Sequence, residues 1–135
     1  MRVYVDSSAL LKRAVREAES EPLAEEIDRF HREGVLLVST SLAWTEVARA
    51  LRNRGSMSYQ EVADDLRAAM SGIAEHPLDS EIMNLSRRVE PDLLRSLDAI
   101  HLAAAIALDA DLMITYDARL ADATVKNGIL VSAPG

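Results

Sequence analysis

The chain has 135 residues, 49% of them hydrophobic, with 15 basic side chains against 22 acidic ones for a formal net charge of −7. That suits one domain over residues 1–135 with a sizeable core, and its acidity argues against passive nucleic-acid binding, which leaves a basic footprint. The lack of cysteine excludes disulfide and thiolate-metal frameworks, no apolar run reaches the ~20 residues of a membrane span, and an acid at position 6 comes too early for a signal peptide, so a soluble cytoplasmic protein is expected.

In chain order, Arg2-Val3-Tyr4-Val5 reads as a strand that ends on Asp6, with Ser7 and Ser8 opening a helix. Asp6 is a natural N-cap there. It also stands where ligands collect in open parallel sheets, beyond the carboxyl end of a strand. Leu11, Ala14, Val15 and Ala18 recur at helical spacing. Ser20-Glu21-Pro22 starts a second helix with Leu23, Ile27 and Phe30 inward, and Gly34 ends it. Val35–Val38 is an apolar run too short for a helix and reads as a buried strand.

Ser39-Thr40-Ser41 is a hydroxyl-rich helix start. Trp44, Val47, Ala48 and Leu51 form the core face of that helix, while Glu46, Arg49 and Asn53 lie off it. Trp44 is therefore read as core rather than as a base-stacking platform. Ser58-Tyr59-Gln60-Glu61 is a capping box, followed by an amphipathic helix whose stripe runs from Val62 to Ile73. Asp79 reads as the N-cap of the next helix, with Ile82, Leu85 and Val89 inward.

Leu94–Leu108 carries the second informative stretch. Ser96 reads as the cap, and Asp98 sits in the first turn, where the helix dipole favours negative charge. Beyond His101 the helix is small and apolar on nearly every side, so a carboxylate at its head needs a partner. His101 itself is read as a structural histidine, and His31 and His76 as helix-end or loop residues. Leu112–Thr115 is another buried strand, and Asp117 follows it as Asp6 follows the first. A helix patterned by Leu120, Ala123 and Thr124 ends at Gly128, before a last strand at Ile129–Val131. Strands alternating with helices indicate an α/β fold on a mainly parallel sheet.

Four acids, Asp6, Glu46, Asp98 and Asp117, would converge at one end of such a sheet. Without counter-charge they repel, and at least one pKa rises. A Mg²⁺ or Mn²⁺ ion resolves the repulsion, because hard cations take carboxylate oxygens. Metal-assisted phosphodiester hydrolysis is the reaction that suits this set. Arginines for RNA phosphates would be Arg49 and Arg52 beside Glu46, and Arg95 beside Asp98.

Four segments, Val5–Lys12, Thr45–Leu51, Ser96–Ala103 and Ile114–Ala123, resemble in order and separation those of a PIN domain, most of all the VapC-type toxin ribonucleases of toxin–antitoxin pairs. The resemblance runs nearly end to end. It implies a three-layer α/β/α sandwich in which Asp6, Glu46 and Asp98 hold Mg²⁺ or Mn²⁺, with Asp117 a fourth acid acting more often through water. The resemblance also implies that Ser7 and Thr115 line the site with hydroxyls, that RNA such as tRNA is cut endonucleolytically, that a cognate antitoxin opposes the activity, and that the chain forms a homodimer. Asp122 is an extra acid nearby, and the sequence leaves open whether it or Asp117 sits nearer the metal. The alternative is a non-catalytic PIN-like module that binds RNA or a protein partner through the same acidic cleft. A receiver-type phosphoacceptor fits poorly, because serines rather than a second acid follow Asp6 and Lys126 precedes the last strand.

Overall fold

The computed structural model describes residues 1–135. At its centre is β1 (Arg2–Val5), which pairs in parallel with β2 (Leu36–Thr40) on one side and β4 (Leu112–Ile114) on the other. Outside these lie β3 (Ala74–His76) and β5 (Leu130–Ser132), giving a five-stranded, all-parallel sheet in the order β3-β2-β1-β4-β5. The alternation along β1 assigns its two faces. Val3 and Val5 join one core cluster while Tyr4 joins the other, and all three are fully buried.

The Val3–Val5 face is covered by α1 (Ser7–Ala14), α2 (Ser20–Arg32), α3 (Ser41–Asn53) and α4 (Tyr59–Met70), through residues such as Leu10, Leu23, Val47 and Leu66. The Tyr4 face is covered by α5 (Ser80–Ser86), α6 (Ser96–Ala107) and α7 (Ala118–Lys126), through Ile82, Leu102 and Leu120. The architecture is a three-layer α/β/α sandwich. Its chain leaves β1 toward β2 and β3, then returns past β1 to β4 and β5. The strand order therefore reverses beside β1, and the crevice beyond the ends of β1 and β4 is where such sheets place ligands.

Local signals read from sequence recur as geometry. Ser58 accepts from the Glu61 amide, and Glu61 returns the bond to the Ser58 amide. Asp79 caps α5 through Ile82 N at 2.9 Å. Gly34 ends α2 at φ +72°, a conformation that a residue with a Cβ adopts at a cost.

Three expectations are corrected. The helix expected from Ser39-Thr40-Ser41 does begin at Ser41 with Thr40 as its N-cap residue, but Ser39 and Thr40 lie within β2, fully buried, and Thr40 makes no side-chain cap bond. The α4 helix stops at Met70, Gly72 turns the chain at φ +77°, and Ala74–His76 is an edge strand. The triplet Ala-Glu-His has neither alternation nor β-branching, so nothing local marks it as a strand. Finally, α6 is capped by Arg95 backbone, not by Ser96, and no side chain closes that end.

Candidate active site at the carboxyl ends of β1 and β4

Asp6 follows directly on β1 and is 2% exposed. Its Oδ1 accepts from the Ala9 amide at 3.1 Å, the N-cap bond, and from Ser8 Oγ at 2.7 Å. Its Oδ2 accepts from Thr115 Oγ1 at 2.6 Å. Asp6 is thus both a helix cap and a buried acid. Burial raises its pKa, opposed by the hydrogen bonds from Thr115 and Ser8. Thr115 Oγ1 also accepts from the Asp117 amide at 3.1 Å, and Ser8 Oγ accepts from the Tyr116 amide at 2.9 Å. Two hydroxyls therefore tie the ends of β1 and β4 together around one carboxylate. The serine that does this is Ser8; Ser7, the serine expected to line the site, is half-buried and makes no side-chain hydrogen bond.

Asp117 caps α7, accepting from the Leu120 amide at 2.9 Å. Asp98 lies half-buried in the open first turn of α6, with no hydrogen bond or ion pair to its carboxylate. Its pKa is raised, first by desolvation and then by the charge of Asp117, with Asp6 and Glu46 adding to the rise and His101 opposing it. All four acids expected from sequence therefore act on one another at Asp98. Asp122 does not join them: it is exposed and paired with Lys126 at 3.0 Å, one turn further along α7.

Glu46 reaches in from α3. Its Oε1 lies 2.6 Å from Nε2 of His101, which is buried in α6. Sequence reasoning left His101 as a structural residue, because the two partners are 55 positions apart and no local spacing connects them. No lysine or arginine pairs with any of the four acids; the one cationic candidate in contact with them is this imidazole.

Of the arginines expected near RNA, Arg49 and Arg95 are exposed and unpaired. Arg52 is instead half-buried, its Nε donating to the Met57 carbonyl at 3.1 Å and holding the turn after α3. Trp44 is also only partly core: it is half-buried and lines a groove of about 890 Å³ with Tyr59, Leu66 and Met70, away from the acids.

A divalent cation suits this donor set. The acids are hard oxygen ligands, no lysine or arginine meets their charge, and the Asp98 carboxylate is free. No three acidic or imidazole side chains close on a common point tightly enough to cage an ion. Mg²⁺ does not need such a cage, since it keeps waters and uses one or two carboxylates together with substrate phosphates.

The sequence pattern of the PIN domain matches residues 3–126. The chain belongs to the PIN domain family. Among relatives of this PIN domain is ribonuclease VapC46 of Mycobacterium tuberculosis, 39% identical over 134 residues, covering 98% of this chain and 97% of that protein. Among solved structures, VapBC2 from Rickettsia felis, bound to a DNA fragment from its promoter, aligns with a TM-score of 0.80 at 9% identity over the whole of both chains. VapC20 of Mycobacterium tuberculosis, described as a sarcin–ricin loop cleaving toxin, aligns at 0.68 with 12% identity, covering 98% of this chain and 99% of that one. At such identities the structural likeness speaks for the PIN fold alone.

Proposed function

We propose that this PIN domain is an endoribonuclease toxin, dependent on Mg²⁺ or Mn²⁺ and restrained by a cognate antitoxin. The observation that carries the reading is Asp98, a half-buried carboxylate without a partner whose pKa is driven up by burial and by three other acids. Asp6, Glu46 and Asp98 would hold the ion, with Asp117 acting through water. When bound, the ion neutralises charge on the phosphodiester and eases deprotonation of the attacking water. The protein's own part is positional. Thr115 and Ser8 fix Asp6 from both oxygens, and the α7 cap bond fixes one oxygen of Asp117. In the net reaction water adds to phosphorus, the bond to the leaving ribose oxygen breaks, and that oxygen takes up a proton.

The substrate class is RNA, supported by the ribonuclease relative at 39% identity, and the proposed target is a structured RNA such as a tRNA. Arg49 and Arg95, exposed and unpaired, are the cations available to its phosphates. A cognate antitoxin and a homodimer are proposed from the resemblance to VapC-type toxins, with the relative ribonuclease VapC46 in support of that type. The protein would act in the cytoplasm; no helix is long and apolar enough to cross a membrane.

The test is cleavage of total cellular RNA by antitoxin-free protein in Mg²⁺, in Mn²⁺ and in EDTA, beside Asp6→Asn. Discrete fragments that require both metal and Asp6 are expected. Cutting that survives EDTA and Asp6→Asn would overturn the reading. A folded, metal-binding protein that cuts no RNA would favour the non-catalytic module.

A further inference from the structure

We propose that His101 is a positioning residue, held by Tyr4 and Thr40 so that its Nε2–H anchors one oxygen of Glu46 and leaves the other free for a cation. The inference rests on the cation-holding reading of Glu46. It joins four elements: Thr40 at the end of β2, Tyr4 in β1, His101 in α6 and Glu46 in α3. Tyr4 and Thr40 are fully buried and His101 is 2% exposed.

The distances form a chain. Thr40 Oγ1 lies 3.3 Å from Tyr4 Oη, Tyr4 Oη 2.7 Å from His101 Nδ1, and His101 Nε2 2.6 Å from Glu46 Oε1. Donor chemistry sets its direction. An ionised carboxylate only accepts, so the proton facing Glu46 must sit on Nε2. In the neutral ring Nδ1 is then an acceptor, and the Tyr4 hydroxyl donates to it. Burial raises the Tyr4 pKa, so the phenol keeps the proton it gives. The Tyr4 oxygen can accept from Thr40 in turn. Every donor then points toward Glu46, and the tautomer is decided by the bond on the ring's far side.

A glutamate on a helix loses rotamer freedom when it is fixed. Anchoring Oε1 through a buried ring meets that cost in the folded protein, before any ion arrives. Glu46 Oε2 makes no hydrogen bond in the half-buried side chain, so one oxygen is left without a partner from the fold. Groups that orient a ligand in this way are worth about 10- to 100-fold in metal affinity. A histidine that merely fills the core would need only its shape, and the edge-on packing of Tyr4 and His101, 5.8 Å between centroids, would survive loss of the hydroxyl.

Three variants separate these roles. Tyr4→Phe removes one oxygen and keeps the ring, His101→Leu removes the donor, and His101→Gln keeps a donor for Glu46. Each is read by Mn²⁺ titration calorimetry of the metal-free protein and by ¹⁵N shifts of labelled histidine, with folding checked by near-UV dichroism. The expected result is a wild-type His101 protonated on Nε2 and a mixed tautomer in Tyr4→Phe. The Mn²⁺ Kd should weaken about tenfold in Tyr4→Phe and about 100-fold in His101→Leu, with His101→Gln recovering most of the loss. A folded His101→Leu with wild-type Mn²⁺ affinity, or a wild-type ring that carries a proton on Nδ1, whether alone or with one on Nε2, overturns the proposal. Should His101→Leu fail to fold, Tyr4→Phe decides: an unchanged tautomer and an unchanged Kd overturn it. Should the wild type take up no Mn²⁺, the cation reading falls, while the tautomers of wild type and Tyr4→Phe still judge the relay.

Discussion

Asp79 and Asp6 do the same local job in opposite surroundings. Each precedes a helix in extended conformation and accepts from the amide three residues on, at 2.9 Å in Asp79 and 3.1 Å in Asp6. Asp79 lies toward solvent beside His76, and its pKa is lowered by the Ile82 amide and then by that histidine. Asp6 has more hydrogen bonds, yet its pKa is raised, because burial outweighs them and the opposing charge of His101. A cap is a property of four consecutive residues, whereas a strained carboxylate is a property of what the fold brings around it. The raised pKa, and not the cap, separates the two aspartates.

The largest expected effect breaks the site while sparing the caps. Asp98→Asn should lower RNA cleavage at least about 100-fold with the fold intact and raise the metal-free melting temperature by relieving repulsion. A fall in melting temperature with metal binding retained would instead make Asp98 a helix-start residue. Next in size is the response to metal. Saturating Mn²⁺ should raise the wild-type melting temperature, by the equivalent of about 2.7 kcal/mol at 100 times Kd, and leave Asp98→Asn nearly unmoved. Equal shifts in both proteins would place the ion elsewhere.

The pH dependence sharpens the contrast, since the two kinds of aspartate carry opposite signs. Where the folded pKa is raised, as in Asp6 and Asp98, the folded state binds more protons between the unfolded value near ~3.9 and the folded value. Stability there rises as pH falls. For Asp79 the folded pKa is lowered, so its contribution is complete above ~3.9 and is lost as pH falls through the lower folded value. Melting curves of metal-free wild type against Asp98→Asn should therefore differ most above pH ~4 and converge toward it. Wild type against Asp79→Asn should differ above ~4 with the opposite sign and converge only below it. Differences of the same sign would contradict the assignment. The smallest effects belong to the caps themselves. Asp6→Asn should cost about 1 kcal/mol or less of stability, net of the relief from burying a charge, whereas Asp79→Ala should lower the melting temperature with cleavage unchanged. Loss of cleavage in Asp79→Ala would extend the site to α5.

Much of the fold was legible because its signals are short-range. Val3-Tyr4-Val5 before Asp6, the Ser58–Glu61 box and the glycine at position 34 each act within a few residues, and the structure repeats them. The Ala74–His76 strand was not legible, since an exposed edge strand is made by its neighbour β2 rather than by its own side chains. The place of Ser39 and Thr40 in the sheet was hidden for a related reason. Hydroxyls suit a helix start, and α3 does begin just after Thr40, but the Thr40 hydroxyl faces Tyr4 from within β2. Ser8 rather than Ser7 serves Asp6 because the rotation of α1 decides which hydroxyl points back toward β4.

The sequence by itself determined the alternation of strands and helices, the caps and the identity of the acids, because periodicity and capping are written in residues close along the chain. Only the tertiary structure decided that Asp98 feels Asp117 rather than Asp122, that Thr115 reaches Asp6 across 109 positions, and that His101 takes hold of Glu46. Those contacts depend on how β4 docks beside β1 and how α6 turns against α3. Burial and like-charge proximity, which set the electrostatics of the site, exist only once that docking is complete.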